Sequence, residues 1–348
     1  MSSAPAPAGA PRPAPCGPIR RIALCQVAAH DAGQNTPQPT GDAASPVKRA
    51  CQLAGAVLLA LALPGFCAGI ARAVPATRTL KISTWNLEWL LDEQAPQTRT
   101  APIDRPRRRQ ADYGQLAALA RRLNSDVTGL QETDSPASIG RLFPADTYRI
   151  VVSDDHVLQK TALVVRADLP VQRNPDITAL NTTAPAAPHH LRSGLDITLG
   201  SGNAQLRVLV VHLKTGCWDD PITQTQHACP VLFRQFAILS DWVADRAREG
   251  GAFAIIGDFN RRLNPHDPLL AQLARATPLD LVTANKASPC QGGEYFIDHI
   301  ILGGPAIGWE DPHSLQVLNV PQGLGSNLSD HCPVSITLHL PAPPAGHA

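Results

Sequence analysis

Asp258 and Asn260 stand directly after an apolar run in the string Ile255-Ile256-Gly257-Asp258-Phe259-Asn260. A branched apolar run that stops at a glycine predicts a buried strand delivering both polar side chains to a sheet end. Period-two alternation puts the two on one side of the backbone and turns Phe259 to the other. Alone, an Asp-x-Asn after a strand is more commonly a turn than a site. Polar groups of the same kind, however, edge other apolar runs: Trp85-Asn86-Leu87-Glu88, Leu130-Gln131-Glu132-Thr133, Val211-His212-Leu213-Lys214, Ile297-Asp298-His299 and Ser329-Asp330-His331. If these ends share one edge, the carboxylates of Glu88, Glu132, Asp258, Asp298 and Asp330 meet the amides of Asn86 and Asn260 and the imidazoles of His212 and His331. Hard oxygen donors with few imidazoles and no thiolate suit Mg²⁺, Mn²⁺ or Ca²⁺ rather than zinc. So many carboxylates cannot all ionise cheaply, so one keeps a proton or a cation screens them. A divalent cation beside two imidazoles is equipment for phosphoester hydrolysis. The cation polarises a phosphoryl oxygen, a carboxylate activates water, and an imidazolium stabilises the developing charge or protonates the leaving oxygen.

The elements that must position these groups follow from periodicity. Residues 79–84 alternate and end at Trp85-Asn86, and residues 126–132 form a second strand ending at Glu132. Residues 162–165, 195–199, 206–213, 252–257, 296–302 and 333–340 are the further strands. Helices are expected at 110–123, with Tyr113, Leu116, Leu119, Ala120 and Leu123 on one face, and at 232–248, with Leu232, Phe236, Leu239 and Val243. A short helix covers 267–274. Strands dominate and helices intervene without strict alternation, which favours two packed sheets with outer helices over a doubly wound single sheet. There is no repeat at a solenoid period.

Charge is distributed unevenly along the chain. Of 30 Lys/Arg and 29 Asp/Glu, six and two lie in residues 1–73, so the rest carries a net charge near −3. A bound cation would offset part of that deficit, and no broad positive field is available to hold duplex nucleic acid. Residues 1–46 are rich in Ala, Pro, Gly and Gln without periodicity and read as disordered, or as an extension upstream of a true start at Val47. Residues 47–73 have the basic, apolar and small-residue order of a secretory signal peptide; a membrane anchor is the rival reading. The Pro/Ala-rich tail at 341–348 is expected to fray. Cys217, Cys229, Cys290 and Cys332 remain beyond the leader, an even number that suits an oxidising, secreted or periplasmic location. Three connectivities are open; sequence-local pairing, Cys217–Cys229 with Cys290–Cys332, is preferred. Zinc is disfavoured, since no C-x-x-C occurs.

In their order along the chain, Asn86 in W-N-L-E, Glu132 in L-Q-E-T, His212 in V-H-L-K, Asp258 and Asn260 in I-G-D-F-N, Asp298 in I-D-H-I and Asp330-His331 in L-S-D-H-C-P-V resemble the signature of the endonuclease/exonuclease/phosphatase superfamily. That superfamily includes pancreatic-type deoxyribonucleases, abasic-site endonucleases, sphingomyelinases and inositol polyphosphate phosphatases. The resemblance spans roughly residues 79–340 and implies a four-layered α/β sandwich, two packed mixed β-sheets flanked by helices, with the site at one edge of both sheets. It makes Glu132 the main metal ligand, helped by Asn86, with Asp330 a second metal contact and Glu88 a supporting carboxylate. It makes Asp258 the residue that deprotonates water, Asn260 the holder of a phosphate oxygen, and His331 the imidazole at the scissile phosphate, its tautomer fixed by Asp298. His212 resembles the second imidazole of deoxyribonuclease-like members.

Among the other polar residues, His299 follows Asp298 on a strand, points away from the site and reads as a satisfied core histidine. His156, His189, His190, His227, His266 and His313 read as loop residues, Arg192 as an exposed arginine with a phosphate contact as the alternative, and residues 105–109 as a solvated basic loop that steers a polyanion. Three function classes stay open. The leading one is an exported, magnesium-dependent endonuclease acting on nucleic acid as a monomer without a protein partner. The alternative is a phosphoesterase for phospholipid or small phosphodiesters. A non-catalytic adhesion or toxin-like module comes third, because buried unpaired carboxylates cost stability and would drift if unused. With 4% aromatics there is no obvious lipid-engaging hairpin, which keeps the nuclease ahead.

Overall fold

The computed structural model describes residues 78–342 apart from 185, 188, 291, 292 and 322–326. The expected extension, signal peptide and the last residues of the tail lie outside the described residues. In chain order the elements are β1 (Arg78–Leu90), α1 (Gln110–Leu123), β2 (Val127–Thr133), α2 (Pro136–Gly140), β3 (Tyr148–Val152), β4 (Lys160–Arg166), β5 (Val171–Arg173), β6 (Leu195–Leu199), β7 (Leu206–His212), α3 (Cys229–Glu249), β8 (Ala252–Asp258), α4 (Pro268–Leu273), β9 (Leu279–Leu281), β10 (Asp298–Gly303), β11 (Gln316–Val317) and β12 (Val334–Leu340).

They form two six-stranded mixed sheets, in the orders β11-β12-β1-β2-β4-β3 and β5-β6-β7-β8-β10-β9. The two orders are one topology used twice. In each sheet a parallel pair, β1/β2 or β7/β8, is joined by a long helix and flanked by antiparallel neighbours. Three apolar layers follow. Leu80, Ile82, Val208, Val210, Ile256 and Ile300 pack between the sheets. Phe236, Leu239 and Val243 of α3 cover Leu209, Val211 and Ile255 on the outer face of one sheet, and Leu116, Leu119 and Ala120 of α1 cover Trp85, Leu130 and Val164 on the other. The four-layered sandwich expected from the sequence is the fold observed.

Alternation within the strands aims the functional residues. Leu80 and Ile82 face the inter-sheet core, so Asn86 of β1 faces the same gap. By the same parity His212 follows Val208 and Val210, Asp258 follows Ala254 and Ile256, and Asp298 precedes Ile300. The parallel register sets His212 opposite Asp258, and the antiparallel one sets Asp298 opposite Asp258. Close approach needs glycine at two places, once between the facing sheets and once between the paired strands β7 and β8 of one sheet. A Cβ on Gly129 would stand 2.7 Å from Ile256 Cδ1, and one on Gly257, at φ +147°, would meet Val211 O at 2.0 Å.

Several sequence expectations shift. β1 continues to Leu90 instead of stopping at Thr84, because it bulges between Asn86 and Leu90 and then pairs again with β2. α3 begins at Cys229, three residues early, where the Cys217–Cys229 disulfide anchors its first turn. The edge strands β3, β5, β9 and β11 are two to five residues long and were not legible as strands.

Candidate active site

The inner faces of both sheets run out at one open edge, and there the polar tips meet. Asn86 Nδ2 donates to Asp258 Oδ2 at 3.0 Å and to Glu132 Oε1 at 3.3 Å, so the two carboxylates share one amide. The Asn86 carbonyl oxygen accepts from the Glu88 backbone N–H at 2.9 Å. Glu132 is brought inward by its backbone. Strict alternation would turn it to the α1 side, but its φ of +59° reverses the chain direction within a bulge of β2. Its Oε2 accepts from the Trp89 N–H at 3.1 Å. Glu88 and Trp89 are also left-handed, at φ +44° and +55°, and Asn260 at +50°. Such conformations cost energy in residues other than Gly and Asn, and they cluster here at the edge where the carboxylates converge.

Asp258 is 2% exposed. Its Oδ1 accepts from the Asn260 N–H at 2.8 Å, so these residues are joined by a turn rather than by strand alternation. Asn260 Nδ2 donates to Leu213 O at 3.1 Å. Two imidazoles approach the other Asp258 oxygen, His212 Nε2 at 3.7 Å and His331 Nε2 at 4.0 Å, and His212 Nε2 is also 3.6 Å from Glu132 Oε1. His331 Nδ1 lies 2.7 Å from Asp298 Oδ2, and its Nε2 lies 3.8 Å from Asp330 Oδ1. Glu88 Oε2 accepts from the Asp330 N–H at 3.1 Å. All nine residues singled out from the sequence are therefore brought to one edge.

Electrostatics divides the two imidazoles. Burial, with the positive charges of Arg192 and His331, pushes His212 well below the usual histidine range and keeps it neutral. Burial works against charge on His331 too, but the Asp298, Asp258 and Asp330 carboxylates overcome it and hold that ring protonated well above the usual value. Burial and the neighbouring Asp298 charge push the Asp258 carboxyl up to about 7, against relief from His331, Asn260 and Asn86. Glu88 is raised by burial and then by Asp330. Burial is the larger cause of both shifts and a neighbouring carboxylate the next, so these acids lie desolvated and side by side. The donors are oxygens, so the residues fit a hard divalent cation. Asp258, Asp298 and His331 bring ligand atoms within 4.8 Å of one another and could hold such an ion. A second grouping, Cys217, Asp220 and Cys229, is closed by the disulfide instead.

A cleft of about 640 Å³ opens over this edge, lined by Glu132, His212, Asn260, Asp330 and His331 at its floor. Its walls hold residues that the sequence reading undervalued. Arg192, expected to be exposed, is 8% exposed, with Nε on His212 O at 3.0 Å and Nη2 on Leu213 O at 3.4 Å. The basic run is not uniformly solvated either. Arg105 lines the cleft, whereas Arg108 is 3% exposed and donates to four backbone carbonyls. Trp89, Lys214 and Trp218 complete the walls. Trp89 and Lys214 adjoin motif residues, the one sequence signal that pointed to them. His189 and His190 lie in loops and also line the cleft. His299 behaves as expected of a core histidine. It is fully buried between Thr283 Oγ1 at 2.5 Å and Arg261 O at 2.9 Å, and burial lowers it to about 4.

An α/β sandwich with an acidic, cation-accepting edge and two differently charged imidazoles defines a metal-dependent phosphoric ester hydrolase. Residues 83–331 match the sequence model of the Endonuclease/Exonuclease/phosphatase family, and the chain belongs to that family. Among solved structures it resembles truncated Caenorhabditis elegans TDP2, at 17% identity over 75% of this chain and 98% of that one, with a TM-score of 0.51. It also resembles the human Nocturnin catalytic domain with bound sulfate anion, at 15% identity over 77% of this chain and 97% of that one, with a TM-score of 0.50. At such identities the likeness establishes the fold. No curated protein sequence matches the chain.

Proposed function

We propose that the chain is an exported, divalent-metal-dependent endonuclease that hydrolyses phosphodiesters of nucleic acid. The observation that carries the chemistry is the placement of the raised Asp258 carboxyl between a neutral and a protonated imidazole. Glu132, Glu88 and Asp330 would hold the cation, Mg²⁺ or alternatively Mn²⁺ or Ca²⁺. The Asp298–His331 hydrogen bond makes the tighter Asp258, Asp298 and His331 trio better suited to a proton than to an ion. A bound cation supplies a Lewis acid at a phosphoryl oxygen. Asn86 braces Glu132 against Asp258 and, with its oxygen turned to Glu88, positions ligands rather than joining them. Asp258, poised near neutral pH, takes the proton of the attacking water. His331, charged and oriented by Asp298, stabilises the pentacoordinate phosphorane or protonates the leaving oxygen. His212 adds a neutral N–H, and Asn260 faces a phosphate oxygen from the cleft floor.

Export is supported by the two disulfides, Cys217–Cys229 and Cys290–Cys332. No helix among the described residues is long and apolar enough to cross a membrane. N-terminal sequencing of the exported protein tests the leader, and a mature chain beginning near Ser2 would refute it. The decisive experiment measures turnover on plasmid DNA, single-stranded RNA and bis-(p-nitrophenyl) phosphate, with and without chelator, for the wild type, Asp258→Ala and His331→Ala. Expected are cleavage of nucleic acid, its loss in chelator, and losses of about 100-fold or more in each variant. Hydrolysis of the small ester alone would move the assignment to a lipid or small-molecule phosphoesterase.

A further inference from the structure

Five tryptophans occur in the chain, and the fold treats two on the cleft differently from those in the core. Trp85 and Trp242 are 0% and 5% exposed, but Trp218 is 42% exposed. A tryptophan left in water is often mobile; this one is fastened. The Cys217–Cys229 disulfide closes its loop, and Arg261, itself buried, donates to Cys217 O at 3.2 Å and Asp220 O at 2.7 Å while pairing with Asp267 at 2.9 Å. The Arg262 N–H donates to Trp218 O at 3.0 Å. The Arg262 guanidinium is bonded to Asp219 and Glu294, with its central carbon 5.9 Å from the Trp218 ring. The backbone that carries the indole is thus held in a rigid frame, so little loop freedom remains to be lost when a ligand packs on the ring. Trp89 stands on the same cleft with Arg105 5.4 Å from its ring. Lys214 and Arg192 belong to the walls as well.

We infer that Trp218 and Trp89 are stacking platforms for unpaired bases, and that the enzyme therefore takes single-stranded nucleic acid in preference to duplex. Flat rings beside cations are what a single strand requires, with bases on the aromatic faces and phosphates along the charges. A duplex keeps its base faces covered. It would depend on a broad positive surface, and the chain beyond residue 73 is slightly acidic. Arg105, Arg192, Lys214 and Arg262 line a cleft over Asp258 and His331, which are only 2% and 8% exposed, a depth that suits a flexible strand better than a stiff rod. This inference rests on the proposed nucleic-acid substrate.

The test is equilibrium binding by the disulfide-bonded protein in chelator. The probe is fluorescein-labelled oligo(dT), free or annealed to oligo(dA), followed by anisotropy and by quenching of tryptophan fluorescence. The single strand is expected to bind at least about tenfold more tightly than the duplex. Trp218→Ala should weaken single-strand binding about tenfold and Trp218→Phe should restore most of it, in the range for loss of one stacked base. Thermal melts of both variants establish that they are folded. Equal affinity for the two forms, wild-type affinity in a folded Trp218→Ala protein, or binding to phosphatidylcholine vesicles in place of oligo(dT) would overturn the inference. The turnover panel separates the two levels. If Asp258→Ala still cleaves, the proposed site fails, whereas Asp258-dependent cleavage with no strand preference removes only the stacking role.

Discussion

His212 and His331 approach the same oxygen of Asp258, yet their surroundings hold them in opposite protonation states. The difference comes from what stands behind each ring. His331 Nδ1 meets the Asp298 carboxylate at 2.7 Å, while His212 Nδ1 finds no partner among the described residues and has the Arg192 cation nearby. Pairs of titrating groups pushed apart in this way are how a site keeps an acid and a base at one pH. Asp298→Asn keeps a hydrogen-bond acceptor and removes the charge. The imidazole titration of His331, followed by NMR in chelator, should then move down toward the ordinary histidine value. The stability consequence has a definite sign. A base raised above its unfolded value of 6.5 contributes stability that is complete below 6.5 and lost as pH rises through the raised value. Chelated wild type should therefore lose this contribution at a higher pH than Asp298→Asn does, as read from melts across pH. A His331 titration unmoved by the substitution would show that Asp298 does not set its charge.

The bulge of β1 carries a second dependence, at the scale of an element. Its left-handed turn at Glu88 and Trp89 takes the carbonyls of Leu87, Glu88 and Trp89 off the regular ladder, and Arg108 accepts the task of pairing them at 2.8, 2.9 and 2.8 Å. The same guanidinium reaches Leu328 O at 2.6 Å, the residue before Ser329-Asp330-His331. One buried side chain thus ties the segment of Asn86 and Glu88 to that of His331, and Ser329 Oγ adds a bond to Asn86 O at 2.7 Å. Arg108→Met leaves those carbonyls unpaired and should cost about 3–5 kcal/mol in urea unfolding, with a fall in kcat at temperatures where the variant is folded. Wild-type unfolding would mean that the bulge holds itself. This arrangement marks where sequence reading ends. Long strands with strict parity, such as residues 252–258 leading to Asp258, were legible because period and polarity agree. Arg108 was not, since its partner Leu328 is 220 residues away and an arginine beside other arginines looks solvated. Glu132 was legible as a tip but not as inward-facing, because only its positive φ sets that direction.

At the scale of the molecule, each sheet supplies half of a site. The β1/β2 pair brings Asn86, Glu88 and Glu132, the β7/β8 pair brings His212, Asp258 and Asn260, and the β10 and pre-β12 segments close the set with Asp298 and His331. Such a site needs two sheet edges and their loops to hold registry, and the disulfides brace that edge on both sides. Cys332 adjoins His331 and is linked to Cys290, 42 residues away in sequence, while Cys217–Cys229, a separation of 12, frames the Trp218 loop. By loop-closure entropy the two bonds contribute about 4 and about 3 kcal/mol, much of the stability of an ordinary domain. Their functional effects should separate. A Cys290→Ser/Cys332→Ser protein should lose kcat, because His331 loses its neighbour's tether. A Cys217→Ser/Cys229→Ser protein should chiefly raise KM for single strands, because the stacking platform loosens. Steady-state kinetics below each variant's melting temperature reads both, and identical kcat and KM losses in the two proteins would show that the bonds serve general stability alone. Oxidised cysteines this close to the candidate site are what the proposed export would require, since a reducing compartment would open both bonds.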